Sequence, residues 1–175
     1  HPGKRGEKNR TYFGDFHRYR PPARSHGLAG SIEGAGGFLG GDARYLRGRL
    51  VADLYRPFGG ARREPRLVLG SHLEAGAVRP VGGGELTFAD RYFRGGDGSV
   101  RGFEPLGIVP RDASGAALLD ANGFLLGGDR YFEGSLELHL PLHDVVRLVA
   151  FADAGDVWAE GQSVDLAGLR SSAGI

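Results

Sequence analysis

Hydrophobic and polar residues alternate along several stretches of the chain with the period of two that marks a β-strand. In residues 131–140, YFEGSLELHL, one face carries Phe132, Gly134, Leu136, Leu138 and Leu140, and the other carries Glu133, Ser135, Glu137 and His139. In residues 145–155, VVRLVAFADAG, Val146, Leu148, Ala150, Ala152 and Ala154 oppose Arg147, Phe151 and Asp153. Residues 45–56 set Leu46, Leu50, Ala52 and Leu54 against Tyr45, Arg47, Arg49, Asp53 and Tyr55. Residues 66–78 set Leu67, Leu69, Leu73, Ala75 and Ala77 against Arg66, His72 and Glu74. Residues 26–38 and 169–175 repeat the pattern in a weaker form, rich in Gly and Ala. With a further candidate near residues 11–20, the pattern predicts about seven antiparallel strands.

The clearer strands run to roughly 10–13 residues, beyond the ordinary strand of about 5–6. They match the roughly 9–11 residues that a tilted strand needs to cross a bilayer. The connections alternate in character. RPPARSHG, YRPFGGARREPR and LPLHDV are short to medium and polar. GAGGFLGGDARY, the segment from Arg79 to Arg130, and GDVWAEGQSVDLAG are long or glycine-rich. Short turns at one end and long loops at the other are the habit of outer-membrane barrels. One design also occurs twice, in GGDARYLRGRLVADLYRPF and GGDRYFEGSLELHLPL: a loop end, an aromatic residue, then an alternating strand closed by proline. A soluble β-sandwich would also show one apolar and one polar face. Strand length and the charges on nearly every polar face favour a wet lumen, so the expected fold is all-β, an antiparallel transmembrane barrel.

Composition narrows the function. Glycine supplies 32 of 175 residues, against an average of roughly 7%, with no collagen-like period. Cysteine is absent, which excludes disulfides, thiolate metal sites and cysteine nucleophiles. The net charge of +1 exerts no general pull on nucleic acid, and no nucleic-acid partner is expected. No apolar run reaches the length of a membrane helix, and HPGKRGEKNR lacks the apolar centre of a signal peptide. The histidines form no HExxH or comparable metal pattern, so no metal or other cofactor is expected. Glu137 and Asp153 could imitate a general acid and base. A charged lumen accounts for them more simply, and the chain is not expected to be an enzyme. GGDG resembles one calcium-binding glycine repeat, but no repeats follow. Trp158, Tyr92, Phe93, Tyr131 and Phe132 stand near strand ends and read as interfacial girdle residues rather than a binding platform.

Arg101 stands between Val100 and Gly102 within a glycine-rich loop, RYFRGGDGSVRGF. It is either solvated or an anchor with a specific partner. Parity puts Glu137 and Asp153 on the polar faces of two strands joined by a short turn. Two such carboxylates repel unless a cation sits between them. An arginine held there would be a latch of directional, charge-assisted bonds. Gly98 and Gly102 would let the backbone turn and approach the wall, with Phe103 packing beside Arg101 near Phe151. The alternative is an exposed arginine and two acids lining a solvated lumen.

Val100-Arg101-Gly102-Phe103, followed by Phe151-x-Asp153-x-Gly155, resembles the paired signatures of the outer-membrane barrel family that contains BamA, TamA and the two-partner secretion translocators. GSLEL around Glu137 and the terminal RSSAGI fit the same order, so the likeness covers most of the chain from about residue 26 onward. The resemblance implies a sixth extracellular loop that enters the barrel, with its arginine paired to the interior acid. It implies assembly, insertion or translocation of other proteins in the bacterial outer membrane, without bond-making chemistry. The implied partners are outer-membrane lipids, unfolded outer-membrane or secreted client proteins, and accessory assembly subunits. Family members have a larger closed barrel preceded by periplasmic POTRA domains. Residues 1–175 are therefore expected to be the C-terminal part of such a barrel, cut at both ends and without POTRA domains. The rival reading is a passive pore or transport barrel, with an open lumen whose charges set conductance; a soluble β-sheet interaction module is the third.

Overall fold

A computed structural model describes residues 25–36, 44–60, 66–143 and 146–175. Six strands form one antiparallel meander: β1 (Ser25–Ala35), β2 (Tyr45–Phe58), β3 (Leu67–Pro80), β4 (Arg130–His143), β5 (Val146–Trp158) and β6 (Arg170–Gly174). The sheet order follows the sequence, and among the described residues the sheet does not close on itself. The predicted strand near residues 11–20 lies outside the described residues. β2, β3 and β4 have 14 residues each and β5 has 13, long enough to cross the bilayer at a tilt.

The register turns the alternation of each strand into rows across the sheet. One lumen-side row runs Asp53–His72–Ser135–Asp153–Ser172. The row beside it runs Val51–Glu74–Glu133–Gly155–Arg170, and the next on the other side runs Tyr55–Gly70–Glu137–Phe151–Gly174. The opposite face presents Leu28, Ile32, Leu50, Leu54, Leu73, Leu136 and Leu148, each 40% exposed or more. Exposed apolar area of that extent suits contact with lipid rather than water.

The connection from β3 to β4, residues 81–129, folds back across the lumen side. After a single 3-10 turn at Phe88–Asp90, the chain forms isolated bridges at Tyr92–Gly128 and Arg94–Ile108. Asp129 ties its end to both neighbouring strands, accepting from Val78 N and donating to Trp158 O at 2.8 and 2.9 Å. Val100 and Ile108 become fully buried and pack with Tyr131 and Val157, flanked by Tyr92 and Phe103. The core of this molecule is therefore the seam between a loop and the inner wall, not a layer between two sheets.

Two aromatic expectations change here. Tyr131 is 3% exposed and faces inward, with its ring centroid 4.5 Å from that of Tyr92. Both tyrosines belong to the loop–wall seam rather than a girdle. Phe93 stacks on Phe88, with centroids 4.6 Å apart. Phe132 and Trp158 line an apolar depression with Ile32, Leu50, Val164 and Leu166, on the outward face.

Candidate functional site: a loop seated on paired carboxylates

Arg101 reaches the wall with both backbone and side chain. Its backbone N–H donates to Asp153 Oδ2 at 3.0 Å and its Nε donates to the same oxygen at 2.6 Å. Nη2 donates to Asp153 Oδ1 at 2.7 Å and to Ser135 Oγ at 2.9 Å. Nη1 donates to Glu137 Oε1 at 2.7 Å. The guanidinium carbon lies 3.8 Å from the centre of the Phe151 ring, close enough for a cation–π contribution. Ser172 of β6 donates its hydroxyl to the Arg101 carbonyl. A guanidinium fork matches carboxylate geometry and holds its charge when partly desolvated. Hydrogen bonding to Asp153 raises the Arg101 pKa further above its ordinary value.

Each strand contributes through its place in the register. Ser135 and Asp153 are opposed across β4 and β5, and Glu137 is opposed to Phe151. Glu137 and Asp153 are thus diagonal neighbours on one face, and Arg101 bridges them. Asp153 is 2% exposed and Ser135 is 9% exposed, so a loss of the arginine would strand a buried acid. The second oxygen of Glu137 meets His139 Nε2 at 2.9 Å.

The surrounding motif residues do distinct work. Val100 has no exposed surface and lies over Gly155. A Cβ at Gly155 would come within 2.9 Å of Val100 and 3.0 Å of Glu133, so the wall is hollowed there to receive the valine. Gly102 has φ of 83°, a conformation that L side chains rarely adopt, and it sits against Ser172. Phe103 packs on the Val100–Ile108–Tyr131–Val157 cluster, whereas Phe151 takes the face of the guanidinium. Gly98 departs from expectation: it has no positive φ, and a Cβ there would meet nothing within 4 Å. The tight turning falls instead to Gly95 and Gly96, at φ of 101° and 91°.

Residues outside the sequence motifs complete the site. Arg94 stands over the Tyr131 ring at 3.5 Å and beside Glu74 and Glu133. Ser99 donates its hydroxyl to Glu133, and Tyr131 donates its hydroxyl to Glu74. Arg170 donates to the Val109 carbonyl at 2.6 Å and pairs with Asp156, tying β6 to the loop. Outside the strands, the Thr87 hydroxyl donates to Asp90 at 2.6 Å and holds that carboxyl below the usual range. His72, Glu74 and Glu133 bring ligand-type atoms within 4.8 Å of one another. Arg49 and Arg94 already supply the positive charge there, so a divalent ion would compete with two guanidinium groups.

The chain as a whole, an open antiparallel sheet with a long loop on one face, resembles known proteins. The Omp85 superfamily domain matches residues 17–175. The chain belongs to the Omp85 superfamily. Among curated relatives, the Sorting and assembly machinery component 50 homolog of Xenopus tropicalis is 29% identical over 130 residues, covering 69% of this chain and 25% of that protein. The Outer membrane protein assembly factor BamA of Nitratidesulfovibrio vulgaris is 30% identical over 105 residues, 60% of this chain and 12% of that one. This Omp85 chain thus spans a quarter or less of the length of these relatives. The crystal structure of BamA from Haemophilus ducreyi lacking POTRA domains 1–3 superposes with a TM-score of 0.66 at 23% identity. It covers 91% of this chain and 33% of that one, and the likeness shows the fold, part of a β-barrel.

Proposed function

We propose that this chain is the C-terminal part of a larger Omp85 barrel that inserts or translocates client proteins at a bacterial outer membrane. Its clients would be unfolded outer-membrane or secreted proteins, and lipids and accessory subunits would be its other partners. It makes and breaks no covalent bonds. The observation that carries this reading is the seated loop: Val100 and Ile108 are fully buried on the lumen wall, and Arg101 is bound to Asp153 and Glu137. A passive pore would keep that space open. An assembly barrel uses a filled lumen, which holds the wall to one shape while the membrane around it yields to a client.

In this reading the latch sets loop and wall geometry and does not act on a client directly. Arg101→Ala removes the cation between two acids while leaving the strand pattern intact. In the membrane-embedded protein it should impair client assembly at least about tenfold, the size expected for losing several charge-assisted bonds. The check is the rate at which a client barrel becomes protease-resistant. Unchanged assembly together with unchanged barrel folding would sink the proposal, and high ion conductance of the parent protein would favour the pore.

A further inference from the structure

Glu74 and Glu133 face each other directly across β3 and β4, and they are 7% and 8% exposed. Like charges so placed are destabilising without an intervening cation. Arg49 of β2 occupies Glu74 with two hydrogen bonds, at 2.8 and 2.5 Å. Glu133 is met from the loop: it accepts from the Ser99 hydroxyl, and Arg94 Nε lies 3.2 Å from its Oε2, an ion-pair distance without the alignment of a hydrogen bond. Arg94 Nη2 reaches Glu74 at 3.4 Å. Its guanidinium also stands 3.5 Å from the Tyr131 ring centre and 5.6 Å from that of Tyr92. Its backbone is fixed by reciprocal hydrogen bonds with Ile108, at 3.0 and 2.8 Å.

We infer that Arg94 is a second latch, a positioning residue that fastens the entering limb of the loop to β3 and β4. Arg101, in the turn at the loop tip, fastens that tip to β4 and β5. The loop is then held at two points across three strands, and a loop so held resists rotation as well as withdrawal. The same physical device appears twice: two wall acids, one loop arginine, one aromatic face; both acids are buried at the Arg94 seat, and Asp153 is buried at the Arg101 seat. A cavity of about 120 Å³ between the seats is lined by Arg49, His72, Ser99, Arg101 and Glu133, so the two seats are adjacent without sharing a carboxylate. The inference rests on the reading of the loop as a seated plug.

Hydrogen exchange of the membrane-embedded protein reads the loop directly, and client assembly is scored separately. Arg94→Gln should speed exchange of residues 94–99 by about tenfold or more. Residues 101–103 should stay within about threefold of the parent protein, because their seat is separate. Arg94→Lys keeps the charge without the planar fork and should recover part of the protection. Arg94→Gln combined with Glu133→Gln removes the stranded acid and should regain thermal stability lost in the single variant. Unchanged exchange in Arg94→Gln, or a double variant no more stable than the single one, overturns the second latch. Faster exchange with client assembly intact supports the second latch and counts against the assembly reading instead.

Discussion

The loop between β3 and β4 contains two successive segments made of the same backbone parts and with opposite fates. Its base, residues 92–110, and its arm, residues 111–126, both consist of isolated bridges and tight turns. The base buries Val100, Ile108 and Val109 to 2% exposure or less, whereas Leu119 and Phe124 in the arm stay 56% and 68% exposed. The difference lies in where the charges go. Arg94 and Arg101 in the base spend theirs on wall acids. In the arm, Asp112 Oδ1 accepts from the backbone of Ser114 and Ala116, and Asp120 Oδ1 accepts from Asn122 and Phe124. These carboxylates close their own turns and leave nothing to offer the wall. The seated segment is the one whose arginines meet wall acids; the exposed segment carries apolar residues without such pairs.

The largest expected effect comes from filling the hollow beneath the base. Gly155→Leu would push Val100 off the wall, since even a Cβ there approaches Val100 and Glu133 closely. Loss of the seated loop should follow, visible as protease cleavage within residues 92–110 and failure of client assembly. Removing the cation comes next. Arg101→Ala should destabilise the detergent-solubilised protein by about 3 kcal/mol, the lower end for breaking a buried ion pair, as read from its unfolding midpoint. The arm supplies the small end of the scale. Phe124→Ser should change stability by less than about 0.5 kcal/mol and leave exchange in the base untouched. A large effect there would show that the arm carries docking energy and would erase the contrast between the two segments.

Much of this arrangement is legible in the sequence because each strand repeats one simple rule. The alternation in residues 131–140 and 145–155 puts Glu137 and Asp153 on one face, and β4 and β5 carry them on the lumen side. The second acid pair was harder to see. Glu74 and Glu133 show the right parity on their own strands, but they lie on either side of the long 81–129 connection. No local pattern sets register across such a span; the fold does. Tyr131 faces the lumen rather than lipid, a choice that its place at a strand end leaves open, because an aromatic residue there looks the same in either case. Its parity with Glu133 was the available signal. The assignment of tight turning to Gly98 failed for a similar reason, since composition marks a glycine-rich turn without saying which glycine takes the positive φ.

The central claim is that the loop base rests on the wall with Arg101 in its seat, and a cross-link tests it most directly. The chain has no cysteine, so a single introduced pair reports without background. A Cβ at Gly102 would lie 3.3 Å from Ser172 Cβ, near the spacing a disulfide requires. The strain of a side chain at that φ is roughly 1–2 kcal/mol, less than the about 3 kcal/mol expected for losing Arg101. Gly102→Cys with Ser172→Cys should form an intramolecular disulfide in the membrane-embedded protein under mild oxidation. Free thiols on both cysteines of the folded, membrane-embedded barrel would contradict the account, because the loop would then stand away from the wall.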